Sequence, residues 1–291
     1  MPRPVALVSA TEARLLDSDL DLLVRALGDR GVLADVVDWD ADVDWSRYCV
    51  AVLRSTWDYH RRLPEFLAWV DRVATLTRLH NPADIVRWNV DKRYLAELAA
   101  TGIPIIPTQW VADEDDIAAL SVDALSADVV VKPTVSAGAN DTLRHRGDGA
   151  SATAHVRSLL AAGKTAMVQP YQRFIDERGE TGMLYFDGEF SHAFRKSAIL
   201  AGDEHDANGL YVEEKIGPRT ASPEERELGD AVMRFVVSRF GAAPLYARVD
   251  VVRGSAGVPV LMELELVEPS LFLHVADQSA ERAAAAIAAR R

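Results

Sequence analysis

The residues with the plainest chemical meaning lie late in the chain, in Tyr246-Ala-Arg-Val-Asp-Val-Val252 and Leu261-Met-Glu-Leu-Glu265. A strand puts every second side chain on one face, so Tyr246, Arg248 and Asp250 point one way and Ala247, Val249 and Val251 the other. By the same count Met262, Leu264 and Leu266 oppose Glu263 and Glu265. Gly254-Ser-Ala-Gly257 reads as the turn between the strands. An even-membered loop sets Asp250 opposite Leu261 and gathers all three carboxylates on the face of Arg248. That face could be the solvated side of an edge hairpin. Three carboxylates crowded on one rigid face repel one another, however, and a cation among them removes the repulsion. Oxygen-only ligands favour Mg²⁺, which keeps waters and bridges nucleotide phosphates. Asp250, Glu263 and Glu265 are therefore the candidate metal ligands.

Two lysines stand in settings suited to phosphate. Asn89 reads as the N-cap of a helix that runs through Tyr94, Leu95 and Leu98 to a stop at Gly102 and Pro104, which places Lys92 in its first turn. Lys132 closes the apolar run Val129-Val-Val-Lys132, where a lysine needs a partner. Just beyond it, Ser136-Ala-Gly-Ala-Asn140 is small enough for backbone N–H groups to approach phosphate oxygens, with Ser136 and Gly138 the candidates. It is not a Walker A loop.

Asp187-Gly188 marks a two-residue hairpin between Met183-Leu-Tyr-Phe186 and Glu189-Phe-Ser-His-Ala-Phe194. If Phe186 faces Glu189, then Glu180 faces Arg195, a cross-strand ion pair worth at most ~1 kcal/mol by itself. Arg195 and Lys196 are nonetheless candidates for stabilising developing negative charge, beside Arg248. The loop Arg54-Ser-Thr-Trp-Asp-Tyr-His60 follows the carboxyl end of a strand, where open α/β sheets bind ligands. Ser55, Thr56, Asp58 and Tyr59 are its candidate substrate contacts, though aromatic packing on the next helix explains the segment equally well. The seven histidines show no His-x-x-x-His spacing, and Gly-x-Ser-x-Gly and Gly-x-Gly-x-x-Gly motifs are absent.

The elements that must carry these groups follow from periodicity. Val5–Val8 is a strand, and Leu20, Leu23, Val24 and Leu27 give the next helix one apolar face. Val36-Val37 and Val50–Leu53 are further buried strands, and Pro64 opens a helix with Phe66, Leu67, Val70 and Val73 inward. The result is a doubly wound α/β unit over residues 1–85. Linker helices and a lid subdomain occupy 86–168, with a helix from Ser151 to Leu160. An α+β part with antiparallel sheet fills 169–291, including a helix begun by the capping box Ser222-Pro-Glu-Glu225 and faced by Leu228, Val232, Phe235 and Val236.

The chain has 291 residues, 49% hydrophobic and 26% charged, enough to bury a sizeable core. Its formal charge of -12 disfavours nucleic acid or an anionic membrane as partner, since both need net basic surface. No apolar run has the roughly 18 to 20 residues that span a bilayer, and no signal-peptide core precedes the first strand, so a cytoplasmic location is expected. The single Cys49 cannot form an intrachain disulfide. Oligomeric state stays open, a homo-oligomer included.

Taken in order, Asn89-Val-Asp-Lys92, Val131-Lys-Pro133, the small-residue loop, Val168-Gln-Pro-Tyr171, Arg248-Val-Asp250 and Glu263-Leu-Glu265 resemble the ATP-grasp superfamily over nearly the whole chain. The resemblance implies ATP and Mg²⁺ as cofactors, bound between two antiparallel sheets. It implies that Lys92 and Lys132 contact phosphates and adenine, that Gln169 and Tyr171 line the adenine hinge, and that Glu177 or Glu180 holds the ribose. Asp250, Glu263 and Glu265 would hold one or two metal ions, Glu265 standing where the family usually has asparagine. More narrowly, Ser55-Thr-Trp-Asp-Tyr-His60 and Glu263-Leu-Glu-Leu-Val-Glu-Pro-Ser-Leu-Phe-Leu273 are similar to the glutathione-synthetase-like branch whose members include ligases that close O-ureido-D-serine to D-cycloserine. The implied activity is ADP-forming ligation of a small-molecule carboxylate to nitrogen through an acyl phosphate. An intermolecular amino-acid or peptide ligase and a non-catalytic nucleotide-binding protein are the alternatives.

Overall fold

The computed structural model of the protein describes residues 2–120, 128–198 and 215–291. Three sheets organise them. In the first, β1 (Val5–Ser9) lies between β2 (Ala34–Asp38) and β3 (Val50–Ser55), and β4 (Arg78–His80) extends the β3 edge, all parallel. The apolar runs are buried on both sides, as a covered parallel sheet requires. Helix Leu63–Leu76 packs on one face through Phe66, Trp69, Val70 and Val73. Trp69 takes the inward place expected of Leu67, which is only partly buried.

The other face is covered by helix Asp19–Gly28 together with helix Ser279–Ala289 from the far end of the chain. The buried Asp19 carboxylate ties these ends together by accepting from the backbone N–H groups of Leu271, Phe272 and Leu273 at 2.7 to 2.9 Å.

The second sheet has the order β5 (Gln109–Val111), β8 (Ala166–Pro170), β6 (Asp128–Pro133), β7 (Leu143–Arg146), all antiparallel. Helix Gly149–Ala161 backs it, capped by Asp148 accepting from Ser151 N–H. The third sheet has the order β11 (Ile216–Arg219), β10 (Glu189–Lys196), β9 (Glu180–Phe186), β12 (Tyr246–Arg253), β13 (Pro259–Glu265), again antiparallel. Helix Pro223–Phe240 packs behind it through Leu228, Val232, Met233 and Val236, and Ser222 and Glu225 form the reciprocal cap. Among the described residues no helix is long and apolar enough to cross a membrane.

Two registers differ from strand counting. On β10 an irregularity at Ser191 shifts the pairing by one, so Glu180 faces Lys196 while Arg195 faces Thr181. Between β12 and β13 the loop is odd, with Arg253 opposite Pro259, and a second irregularity leaves Met262 without a partner, so Asp250 faces Glu263 and Arg248 faces Glu265. The odd loop alone would have turned both glutamates to the apolar face of Val249. The extra residue restores them to the face of Asp250, and sends Met262 there too, as β-bulges near functional sites do.

Candidate active site

A cleft opens between the second and third sheets, and its walls carry most of the predicted residues. Lys132 and Gln169 come from β6 and β8. Glu180, Lys196, Arg248, Glu263 and Glu265 come from β9, β10, β12 and β13. Lys92, Ser136, Gly138, Tyr171 and Tyr59 also line it.

Lys92 does not sit in a helical first turn. Helix Ala83–Asn89 ends before it and helix Tyr94–Ala100 begins after it, so Lys92 lies in the connection, its N–H bonded to Thr134 O at 2.8 Å. The side chain is buried, and its ammonium donates to Ser136 O at 2.9 Å and lies 3.2 Å from Glu263. The lysine thus bridges the small-residue loop and the acidic strand. Asn89 is not an N-cap: its amide donates to Leu264 O at 2.8 Å and accepts from Leu266 N–H at 2.6 Å. Tyr94 Oη adds bonds to Leu264 O and N–H at 2.8 and 2.9 Å. These side chains satisfy the outer backbone groups of β13, an edge strand, and hold its acids in place.

The small-residue loop turns through positive φ at Gly138 (60°) and Ala139 (58°), a concave run of backbone suited to an anion. Lys132 is buried, and burial lowers its pKa, an effect that neighbouring Glu263 opposes. Gln169 is buried with its amide donating to Thr108 Oγ1 at 2.8 Å. The Tyr171 hydroxyl bonds to Asp176, and the Arg144 guanidinium lies 3.3 Å from its ring centroid.

Arg248 is the hub of the acidic face. Its guanidinium forks onto Asp250, with Nε and Nη2 bonds of 3.0 and 2.8 Å, and Nη2 also donates to Glu265. Its Nη1 donates to Ser270 O at 3.4 Å. Burial works to raise the Glu263 carboxyl, but Lys92, Lys132 and Arg248 outweigh it and hold the group below its ordinary range. Glu265 goes the other way, raised by burial and by the like charges of Glu263 and Asp250. Among the described residues no three acidic or histidine side chains converge as a ligand set, because these carboxylates are turned onto Arg248 and Lys92. The donors are all oxygen and share one face, which fits Mg²⁺. Binding it requires exchanging ion pairs for metal–oxygen bonds.

Other expected residues fall elsewhere. Arg195 points away from the cleft and donates to Arg178 O at 2.8 Å and Glu177 O at 3.3 Å, so the expected pair with Glu180 is replaced by Lys196 at 3.9 Å. Glu177 is exposed on the short helix Phe174–Arg178, while Glu180 is buried in the lining. In the loop after β3, Ser55 bonds Ser9 Oγ at 2.8 Å, Thr56 is fully buried, and Asp58 accepts from Trp39 Nε1 and Arg62 Nη2, each at 2.8 Å. These three do not line the cleft.

The chain is 40% identical to the cycloserine biosynthesis protein DcsG of Streptomyces lavendulae over 98% of each sequence. This chain belongs to the D-cycloserine synthetase family. Residues 5–81 match the family described as D-cycloserine synthetase DcsG, N-terminal domain. The crystal structure of D-cycloserine synthetase DcsG superposes with a TM-score of 0.88 at 38% identity, covering 98% of this chain and 99% of that one. The D-alanine–D-alanine ligase of Bacillus anthracis, solved with ATP, shares the fold at 13% identity, with a TM-score of 0.66 over 99% of this chain and 97% of its own. As a D-cycloserine synthetase family member the protein is an ATP-grasp ligase that forms a carbon–nitrogen bond.

Trp57 and Glu268 also line the cleft, outside the set that residue types and strand period single out. Trp57 Nε1 donates to Glu268 O at 3.1 Å. Burial, with the negative Glu265 nearby, pushes the Glu268 carboxyl up to about 8. The run Glu268-Pro-Ser270 next to the acidic strand was the available signal.

Proposed function

We propose that the protein converts O-ureido-D-serine to D-cycloserine with ATP and Mg²⁺, releasing ADP and phosphate. The substrate carboxylate attacks the γ-phosphate, and the nitrogen bound to the side-chain oxygen then attacks the acyl phosphate carbon and expels phosphate. D-cycloserine lacks the carbamoyl group, so water cleaves the bond between that group and the ring nitrogen, and the group leaves as carbon dioxide and ammonia. Free carboxylates are poor acyl donors and acyl phosphates good ones. Phosphoryl transfer asks mainly for alignment and for compensation of charge.

The observation that carries this reading is the gathering of Lys92, Lys132, Lys196 and Arg248 with Glu263 and Glu265 in one cleft, Asp250 buried against Arg248 beside it, in a chain 40% identical over 98% of its length to a cycloserine biosynthesis protein. Lys92, Lys132 and the loop around Ser136 and Gly138 neutralise the phosphates. Gln169 and Tyr171 line the adenine and Glu180 takes the ribose. Arg248 stabilises the charge that develops on the acyl phosphate, and Lys196 acts with it. Asp250, Glu263 and Glu265 would hold Mg²⁺, which would supply compensating positive charge for the phosphates. Tyr59 bounds the substrate side, and both reacting groups belong to one molecule, so no second amine site is needed.

The test is incubation of the purified protein with ATP, Mg²⁺ and O-ureido-D-serine alone. ADP, phosphate and D-cycloserine are expected in equal amounts. AMP and pyrophosphate, or turnover only when a second amino acid is added, would overturn the reading.

A further inference from the structure

The acids of the cleft divide by partner. Asp250 and Glu265 are turned onto Arg248, and Glu263 onto Lys92. Glu268 differs from them. It is 9% exposed and lines the cleft, yet its carboxylate makes no hydrogen bond or ion pair to any described residue, and only its backbone carbonyl is used, by Trp57. Burial holds this carboxyl toward its protonated form although Lys92 and Arg248 act on it through space, and a cation brought against it would restore its charge.

Its position says what the missing cation is. Arg248 Nη1 donates to Ser270 O at 3.4 Å, so the segment Glu268–Ser270 abuts the guanidinium that faces the reacting carboxylate. In an α-amino acid the ammonium nitrogen and the carboxylate carbon are bonded to one carbon and lie about 2.5 Å apart. A carboxylate seated at Arg248 therefore brings its ammonium group to the same neighbourhood, where Arg248 itself repels it. An anionic partner is needed there, and Glu268 is the lining carboxylate not already engaged by a described cation. Resting on the reading that an amino-acid carboxylate is activated in this cleft, we propose that the Glu268 carboxylate binds the α-ammonium group of the substrate and selects amino acids over plain carboxylates. The Trp57 bond to the Glu268 carbonyl fixes the backbone from which that carboxylate reaches the cleft.

The experiment compares O-ureido-D-serine with its analogue lacking the α-amino group, by ADP release, in the wild type, Glu268→Gln and Glu268→Asp. The wild type prefers the amino substrate in kcat/KM by about 10- to 100-fold, the range for one charge-assisted hydrogen bond. Glu268→Gln loses that preference by lowering kcat/KM for the amino substrate alone, with the KM for ATP and the Mg²⁺ dependence unchanged. Glu268→Asp keeps part of the preference, which guards against a folding defect in the first variant. An undiminished preference in Glu268→Gln, or a defect repaired by more Mg²⁺, overturns the inference and leaves the ring-closing reading intact. If the wild type instead turns over a different α-amino acid, the ring-closing reading fails and the same comparison is made on that acid and its deaminated form. Turnover confined to carboxylates without an ammonium group, or no turnover of any α-amino acid, overturns both.

Discussion

Glu180 and Lys196 face each other across β9 and β10 with 3.9 Å between carboxylate and ammonium, and Arg195, one residue earlier, points to the opposite side of the sheet. The one-residue irregularity at Ser191 makes this assignment. Removing the cleft-facing cation by Lys196→Ala is expected to lower kcat/KM for ATP about tenfold or more. Arg195→Ala is expected to stay within about twofold of wild type, because its bonds run to the Arg178 and Glu177 carbonyls and the Ser197 hydroxyl, none of them in the cleft lining. Steady-state ADP release on the two variants makes the comparison, and the reverse ranking would refute the placement.

Asp250→Ala and Glu263→Ala are both expected to lose turnover at saturating Mg²⁺, yet to differ in stability. Asp250 accepts the forked guanidinium of the buried Arg248, so its removal leaves that charge, among the described residues, with Glu265 and Ser270 O and costs about 2 to 4 kcal/mol. Glu263 is partnered by Lys92, which retains its bonds to Ser136, so less is lost. Urea unfolding of both variants without nucleotide measures the difference.

Asn89→Leu strips two buried backbone groups, Leu264 O in β13 and Leu266 N–H just beyond it, of their side-chain partner. Tyr94 still serves Leu264. The expected loss is about 2 to 3 kcal/mol, at roughly 1 to 3 kcal/mol per unsatisfied group with one partly rescued. A midpoint in urea within error of wild type would contradict this role for Asn89.

His80 is buried, and burial, with Arg290 and Arg78 nearby, pushes its imidazole from 6.5 down to about 4. The folded chain therefore refuses a proton that the unfolded chain accepts. This contribution is fully present above pH 6.5 and is lost as pH falls from there toward 4, by at most about 3 kcal/mol. His80→Leu is expected to flatten that part of the stability profile, read by denaturant midpoints across the interval.

The hairpin at Asp187-Gly188, the capping box at Ser222 and the apolar runs of β1, β3 and β6 were legible because each depends on neighbours within a few residues. Lys92 was legible as a residue but not in its setting, since Asn89 serves an edge strand more than 170 positions away rather than the helix beside it. Ser55, Thr56 and Asp58 carried suitable chemistry and were drawn into local packing, whereas Trp57 beside them reached the cleft.

The acidic strand pair states the division most clearly. The sequence alone determined which residues carry charge there, that Arg248 and Asp250 share a face, and that the glutamates must oppose leucines. Tertiary structure decided which face the glutamates take: the loop from Gly254 to Val258 is odd, and only the unpaired Met262 returns Glu263 and Glu265 to Asp250. An extra residue in a strand leaves no mark on a period of two. Its place is set by what the strand must satisfy on both sides, the apolar core under Leu261 and Leu264 and the side chains of Asn89 and Tyr94 at its edge.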